Sequence, residues 1–138
     1  VRFELNVGTD NVQIYVRTSS DGGSSYDSGS SDYKYVGDRT YSTGTAAPFG
    51  DTQGYYRITA GTVGNAANEF IAGEIIISDA TTTEFTTMVS RTASYDQSNA
   101  VQLHMVAGFR ESAADVDGVQ FLASSGTITG NLKLYGMK

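Results

Sequence analysis

The side chains best suited to catalysis or metal binding in this chain are one histidine and fifteen carboxylates, since it has no cysteine. His104 has no imidazole or thiolate partner with which to build a transition-metal site, and no G-x-S-x-G segment accompanies it for nucleophilic catalysis. The acids form many pairs, but no spacing singles out two of them for glycoside cleavage. The sequence also lacks P-loop, dinucleotide-binding and HExxH motifs. We therefore predict a non-enzymatic protein without a cofactor.

Aspartates in segments rich in serine and glycine supply a second possible chemistry, the ligation of calcium by oxygen. The aspartates in question are Asp10, Asp21, Asp27, Asp32, Asp38 and Asp51. Their spacing is not that of an EF-hand, since D-x-[DN]-x-[DN]-G with its final glutamate does not occur. Aspartates in such segments also form turns and keep the surface soluble. We keep calcium binding as a minor alternative to that structural role.

A turn motif occupies the segment Ser19–Tyr26. Ser19, Asp21, Gly23, Ser25 and Tyr26 follow the pattern S-x-D-x-G-x-[ST]-aromatic, which resembles the Asp box of sialidases and other β-proteins. The aspartate can accept backbone N–H bonds across the turn, the glycine permits positive φ, and the tyrosine can pack back on the hairpin. In the proteins that it resembles, the motif supports the fold and lies away from catalysis. We predict the same structural role.

Nine tyrosines and six phenylalanines, with no tryptophan, form an aromatic excess. Tyrosine rings can stack on sugar faces, but tyrosine is also a good strand former, so both interpretations stay open. Tyr33 and Tyr35 would share one face of a strand, whereas Tyr55 and Tyr56 must face opposite sides. The residues predicted to contact a partner or a glycan at the surface are Tyr26, Asp27, Tyr33, Tyr41, Phe49 and Asp51.

Alternation of apolar and polar residues predicts the elements that position these side chains. About nine strands are expected, within Val1–Val7, Val12–Arg17, Tyr33–Val36, Gly54–Ala60, Ile71–Ser78, Glu84–Arg91, Ala100–Arg110, Gly118–Ser124 and Thr127–Tyr135. No segment keeps a helical period beyond a turn, and parallel pairing would need long crossovers. The sequence therefore predicts an all-β fold without substantial helix, an antiparallel two-sheet β-sandwich of the jelly-roll type.

Two long connections interrupt this pattern, Ser19–Asp32 and Asp38–Gln53. Both are rich in glycine, serine and threonine, and long loops at the end of a sandwich often carry binding. The same composition describes a solvated flap. His104 is expected on the polar face or at the edge of the core, because its parity is opposite to that of Val101, Leu103 and Met105.

Length and charge limit the remaining possibilities. The 138 residues predict one domain, 1–138. A net charge of −6 has the wrong sign for a surface that neutralises phosphates, so we do not expect nucleic acid as a partner. No apolar run reaches the length of a membrane span, so no membrane insertion is predicted. Because the chain begins at Val1 without methionine, we interpret it as a processed product or as the C-terminal part of a longer protein.

Four segments carry a resemblance to a known family. They are Val16–Asp27 (VRTSSDGGSSYD), Ile71–Ile77 (IAGEIII), Val116–Ile128 (VDGVQFLASSGTI) and Gly130–Lys138 (GNLKLYGMK). In their order and spacing they resemble the C-terminal β-sandwich domains of bacteriophage virion proteins, found on tail fibres, spikes and head fibres or decorations. Each segment is a strand-and-turn pattern, and none is a catalytic signature.

The resemblance implies a function that the residues alone do not specify. It implies a non-enzymatic virion structural domain, exposed on the virion surface in the extracellular medium, that serves assembly and attachment to the host. It further implies a homotrimer, with other virion proteins and a host cell-surface glycan as partners. A carbohydrate-binding module, using tyrosines and loop aspartates, remains the alternative.

Overall fold

The computed structural model describes residues 1–78, 80–81 and 84–136, so residues 137 and 138 of the C-terminal segment lie outside the described residues. The described residues form ten β-strands and no helix, and therefore no helix able to cross a membrane. The strands are β1 Arg2–Val7, β2 Ile14–Ser19, β3 Tyr33–Tyr41, β4 Gly44–Gln53, β5 Tyr56–Arg57, β6 Ile71–Ser78, β7 Thr86–Tyr95, β8 Val101–Arg110, β9 Gly118–Ala123 and β10 Ile128–Lys133. All paired strands are antiparallel.

Two sheets of unequal width form the molecule. The seven-stranded sheet has the order β10-β1-β6-β7-β8-β3-β4, and the three-stranded sheet has the order β5-β2-β9. This confirms the predicted all-β fold with two antiparallel sheets, consistent with a β-sandwich. The jelly roll is not confirmed, because a division into seven and three strands differs from the eight strands and two Greek keys of that fold.

The larger sheet extends past the smaller one on both sides. The Phe3 ring on β1 lies 5.1 Å from the Phe121 ring on β9, and the Tyr35 ring on β3 lies 6.0 Å from the Tyr56 ring on β5. The outer strands of the small sheet therefore cover β1 and β3. It follows that β10 and β4, which lie beyond them, are covered only in part on their inner faces, where Ile128 and Phe49 are partly buried.

The prediction of a long loop over Asp38–Gln53 is wrong. This segment completes β3 and forms β4, which among the described strands pairs with β3 alone. Pro48 and the small residues Ala47 and Gly50 near it weaken the alternation that signals a strand. An edge strand tolerates proline because one side of its backbone needs no partner. In contrast, the predicted strand Gly54–Ala60 shrinks to Tyr56–Arg57.

Strands β7 and β8 turn their polar residues inward. On β8 the buried positions alternate with exposed ones along all ten residues, and β7 follows the same rule over most of its length. Buried polar side chains of the two strands are Thr86, Ser90, Thr92, Ser94, Gln102, His104 and Arg110. Exposed apolar side chains of the same strands are Val89, Tyr95, Val101, Leu103, Met105 and Phe109. The usual arrangement of a one-sided sheet is inverted here.

Hydrogen bonds to the segment around β5 explain why two of these polar groups, Thr92 and His104, are buried. The Tyr56 hydroxyl donates to the carbonyl of Val106 at 2.7 Å, and the Thr92 hydroxyl donates to the carbonyl of Ile58 at 3.1 Å. The backbone N–H of Ala60 donates to Nδ1 of His104 at 3.0 Å. Buried polar groups cost free energy unless they are paired. These bonds therefore fix the segment against the large sheet.

His104 is a core residue, contrary to the expectation of a polar face or core edge. Its ring is fully buried, with Nε2 2.9 Å from the Ser94 hydroxyl. Because Nδ1 accepts a hydrogen bond, Nε2 carries the proton and donates it to Ser94. Burial, followed by the positive charges of Arg39 and Arg57, lowers the pKa of His104 to about 4. The imidazole is therefore neutral and structural at neutral pH.

We predict that this histidine makes the fold sensitive to mild acid. Unfolded His104 binds a proton below pH ~6.5, whereas the folded ring stays neutral to about pH 4. The free energy of unfolding should fall by about 1.4 kcal/mol per pH unit between these values. Urea unfolding at pH 6.5 and 5, above the range where carboxylates titrate, measures this slope. His104→Gln should flatten it, and an unchanged slope in this variant would contradict the assignment.

Candidate functional site

The turn predicted at Ser19–Tyr26 has a dense hydrogen-bond pattern around one carboxylate. Asp21 Oδ1 accepts from the Ser19 hydroxyl at 2.8 Å and from the Ser25 backbone at 2.9 Å, and Oδ2 accepts from the Ser25 hydroxyl at 2.6 Å. Gly23 has φ +83°, and the Tyr26 hydroxyl lies close over it. Ser25, then Ser19, lowers the pKa of Asp21 to about 2. The motif residues therefore hold each other in a closed turn.

Asp27 supports the core rather than presenting a free carboxylate. Its Oδ2 accepts from Nε of Arg110 at 2.5 Å and from the Thr18 hydroxyl at 3.2 Å. The Arg110 side chain is only 1% exposed and also donates to the carbonyl of Ala114. Asp27 thus neutralises a buried guanidinium and connects the loop to β8. As a predicted surface contact, Asp27 is better explained by this ion pair.

Tyr33 was predicted at the surface, and this prediction is wrong. Its side chain is fully buried, and its hydroxyl accepts from the Thr18 backbone N–H at 2.7 Å. Desolvation raises the pKa of this phenol. Tyr33 and Tyr35 share one face of β3, as the alternation predicts, and that face is the inner one.

The aspartates predicted as calcium ligands do not come together. Asp21 and Asp27 are engaged by the donors described above, and Asp32 accepts from the backbone N–H of Gly29 at 2.6 Å. In residues 1–78, 80–81 and 84–136, no group of three or more histidine, cysteine or acidic side chains is placed to hold a metal ion. The calcium alternative therefore has no ligand set in this part of the chain.

The remaining predicted contact residues lie on or near β4. Phe49 and Asp51 belong to β4, and Tyr41 is the last residue of β3. Asp51 is exposed and accepts from the Gln53 side chain at 2.7 Å, and this bond, followed by the Thr52 N–H, lowers the pKa of its carboxyl. The Arg39 guanidinium lies 4.0 Å from the centroid of the Tyr41 ring. These side chains are near the surface but packed within the chain.

The most binding-competent surface lies where β4 extends past β5, and it combines Phe49 and Asp51 with three residues outside the predicted contact set. Tyr15 on β2 and Tyr55 beside β5 stack with ring centroids 3.8 Å apart and planes inclined by 13°. The guanidinium of Arg57 lies 5.2 Å from the centroid of Phe49. We call Tyr15, Phe49, Asp51, Tyr55 and Arg57 the β4–β5 edge.

The β4–β5 edge combines aromatic rings with a cationic hydrogen-bond donor and an anionic hydrogen-bond acceptor. Tyr15, Phe49, Tyr55 and Arg57 are all half-buried, and Asp51 is exposed. Desolvation, with Tyr55 as the next cause, raises the pKa of Tyr15 to about 12, so its hydroxyl remains a donor at neutral pH. The Tyr15 hydroxyl donates to Gln13 Oε1 at 2.7 Å. The edge therefore offers an aromatic platform, a cationic donor and a carboxylate acceptor, the set that recognises a sugar ring.

Sequence reasoning missed Tyr15 and Arg57 because the signal is not local. In the sequence, Tyr15 alternates with apolar residues and is therefore assigned to the polar face of β2. Arg57 is a single charged residue that follows two tyrosines, and no motif marks it. They become neighbours only because β2 pairs with β5 in a register that sets Tyr15 opposite Arg57. Comparison of the chain with protein-family models, curated proteins and solved structures finds no match.

We predict that removing Asp27 destabilises the fold. In Asp27→Ala the buried guanidinium of Arg110 loses its counter-charge, which should lower the free energy of unfolding by about 3 kcal/mol. Asp10→Ala is the matched control, because Asp10 is exposed and accepts from the neighbouring Asn11 N–H; its effect should stay within about 0.5 kcal/mol. Chemical denaturation measures both variants, and equal effects would argue against a structural Asp27.

Proposed function

We propose that this chain is a non-enzymatic bacteriophage virion domain, an exposed part of a tail fibre, a spike or a head decoration, that binds a glycan on the host surface. The resemblance of its four strand-and-turn segments to virion proteins supports the virion assignment. The low share of charged residues, 17%, and the absence of cysteine suit a β-domain that persists outside the cell. The same resemblance supports three copies in each appendage.

The β4–β5 edge carries the binding part of this proposal. Its stacked tyrosines provide the apolar platform on which a sugar face packs, while Arg57 and Asp51 provide a donor and an acceptor for sugar hydroxyls. The edge belongs to two different sheets, so its geometry is set by the core rather than by a mobile loop. A preformed surface of this kind loses little entropy when a ligand binds.

A carbohydrate-binding module outside any virion is the second candidate, because the same edge would serve it equally. The two proposals share the ligand class and differ in where the chain resides. Electron microscopy of phage particles labelled with an antibody against this chain separates them. Label at a tail tip, a vertex or the shell is expected for the virion domain, and particles without label favour the free-standing module.

We predict that the β4–β5 edge binds bacterial surface polysaccharide. On an array of such polysaccharides the chain should give saturable binding, and Tyr55→Ala should weaken it at least about tenfold, or about 1.4 kcal/mol. Tyr135→Ala is the matched control, since it removes an exposed tyrosine from another part of the surface. Binding that survives unchanged in both Tyr55→Ala and Arg57→Ala would rule this edge out, provided that both variants keep the thermal midpoint of the wild type.

A further inference from the structure

The outer face of the seven-stranded sheet carries a continuous apolar surface. Its residues lie on four neighbouring strands, β6, β7, β8 and β3, and their registers place them in adjacent rows. The exposed apolar side chains of this surface are Val36, Ile76, Val89, Val101, Leu103, Met105 and Phe109. Single exposed apolar residues are ordinary, but a contiguous set on a flat sheet marks an interaction surface. We call this set the outer apolar face.

We propose that the outer apolar face is the contact between copies of this chain, in a closed assembly whose axis runs along the strands. This inference rests on the sheet itself and goes beyond the proposed glycan binding. It names the surface through which the domain associates with itself, a surface that does not include the β4–β5 edge.

The charges beside the outer apolar face favour a second copy as the occupant. One row runs across three strands as Arg91, Met105 and Asp38, with the residues directly opposite each other. On the Arg91 side, Glu74 pairs with Arg91 at 3.2 Å and with Arg2 at 3.5 Å, which leaves one positive charge in excess. On the other side, the exposed Asp38 has no salt bridge to any residue that the structure describes.

A symmetry axis along β8 brings these unequal charges together. Rotation about such an axis keeps the position of each row along the strand direction. It sets the β7 side of one sheet opposite the β3 side of the next. Arg91 of one copy then faces Asp38 of the next, while Met105 meets its neighbours near the axis. The surface is therefore complementary to itself, as closed symmetric assembly requires.

The area is adequate for a stable contact. Four strands spaced about 4.8 Å apart, with residues rising about 3.3 Å each, give a flat area on the order of 600 Å². A standard interface buries about 800 Å² on each partner. Because side chains protrude from the sheet, the accessible area of the face is larger than its flat area. Burying such a face also removes the apolar surface that the inverted β7 and β8 present to water.

The first experiment measures the mass of the chain in solution by size-exclusion chromatography with light scattering. At micromolar concentration we expect two or three chains per particle. Met105→Asp places a charge in the centre of the outer apolar face, where Met105 is 54% exposed, and should weaken association at least a hundredfold. Leu132→Asp is the matched control: Leu132 is 52% exposed but pairs with Phe3, whose side chain points to the core, so it lies on the other face of the sheet. Its mass should not change.

A charge exchange tests the pairing itself. Asp38→Arg should reduce association by like-charge repulsion with Arg91, and the double variant Asp38→Arg with Arg91→Asp should restore the mass of the wild type. A monomeric wild type, or a Met105→Asp variant that assembles as the wild type does, overturns the proposal. The two proposals are tested independently. If the chain does not associate, glycan binding by the monomer can still be measured on the array, and if no glycan binds, the mass in solution still tests the association. A mass of two chains would overturn the homotrimer alone.

Discussion

Hydrogen bonds between the polar inner face of β7 and β8 and the segment around β5 are the constraint on which the rest of the structure depends. Tyr56 bonds the large sheet through its hydroxyl, and Thr92 and His104 on that sheet bond the backbone of the segment that follows β5. Because side chains alternate with a period of two, a slip of one residue would exchange the inner and outer sets of β8. The slip would bury an apolar face but leave polar partners in and around β5 unpaired, at a cost of several kcal/mol. Polar pairing, rather than apolar burial, therefore fixes the register.

The outer apolar face is a consequence of the same constraint. With Gln102, His104 and Arg110 committed to the core, the apolar residues of opposite parity, Leu103, Met105 and Phe109, must point outward. In an isolated chain this arrangement is unfavourable, since apolar area in contact with water costs about 25 cal/mol per Å². The proposed contact between copies would offset that cost. Polar specificity inside the subunit and apolar association outside it thus follow from one choice of register.

The sequence was sufficient for the fold class and insufficient for the placement of several side chains. Alternation over Phe3, Leu5 and Val7 correctly predicts a strand with these residues in the core. Alternation on β8 carries no information about which face is inside, because Ala60, whose backbone N–H bonds Nδ1 of His104, lies 44 positions away. β4 escaped prediction since Pro48 is allowed only by its place at the edge. The β4–β5 edge depends on a strand pairing, which a single sequence does not contain.

The two surfaces proposed for binding and association point in opposite directions. Phe49 and Asp51 lie opposite Gly37 and Tyr35 on the side of the sheet that faces the core, and only the short width of the small sheet leaves them open. Met105 lies on the reverse side of the same sheet. Covering the outer apolar face with another copy therefore does not cover the β4–β5 edge. An assembly built in this way presents one edge per chain to the surroundings, and several weak sugar contacts on one particle act together through a high effective concentration.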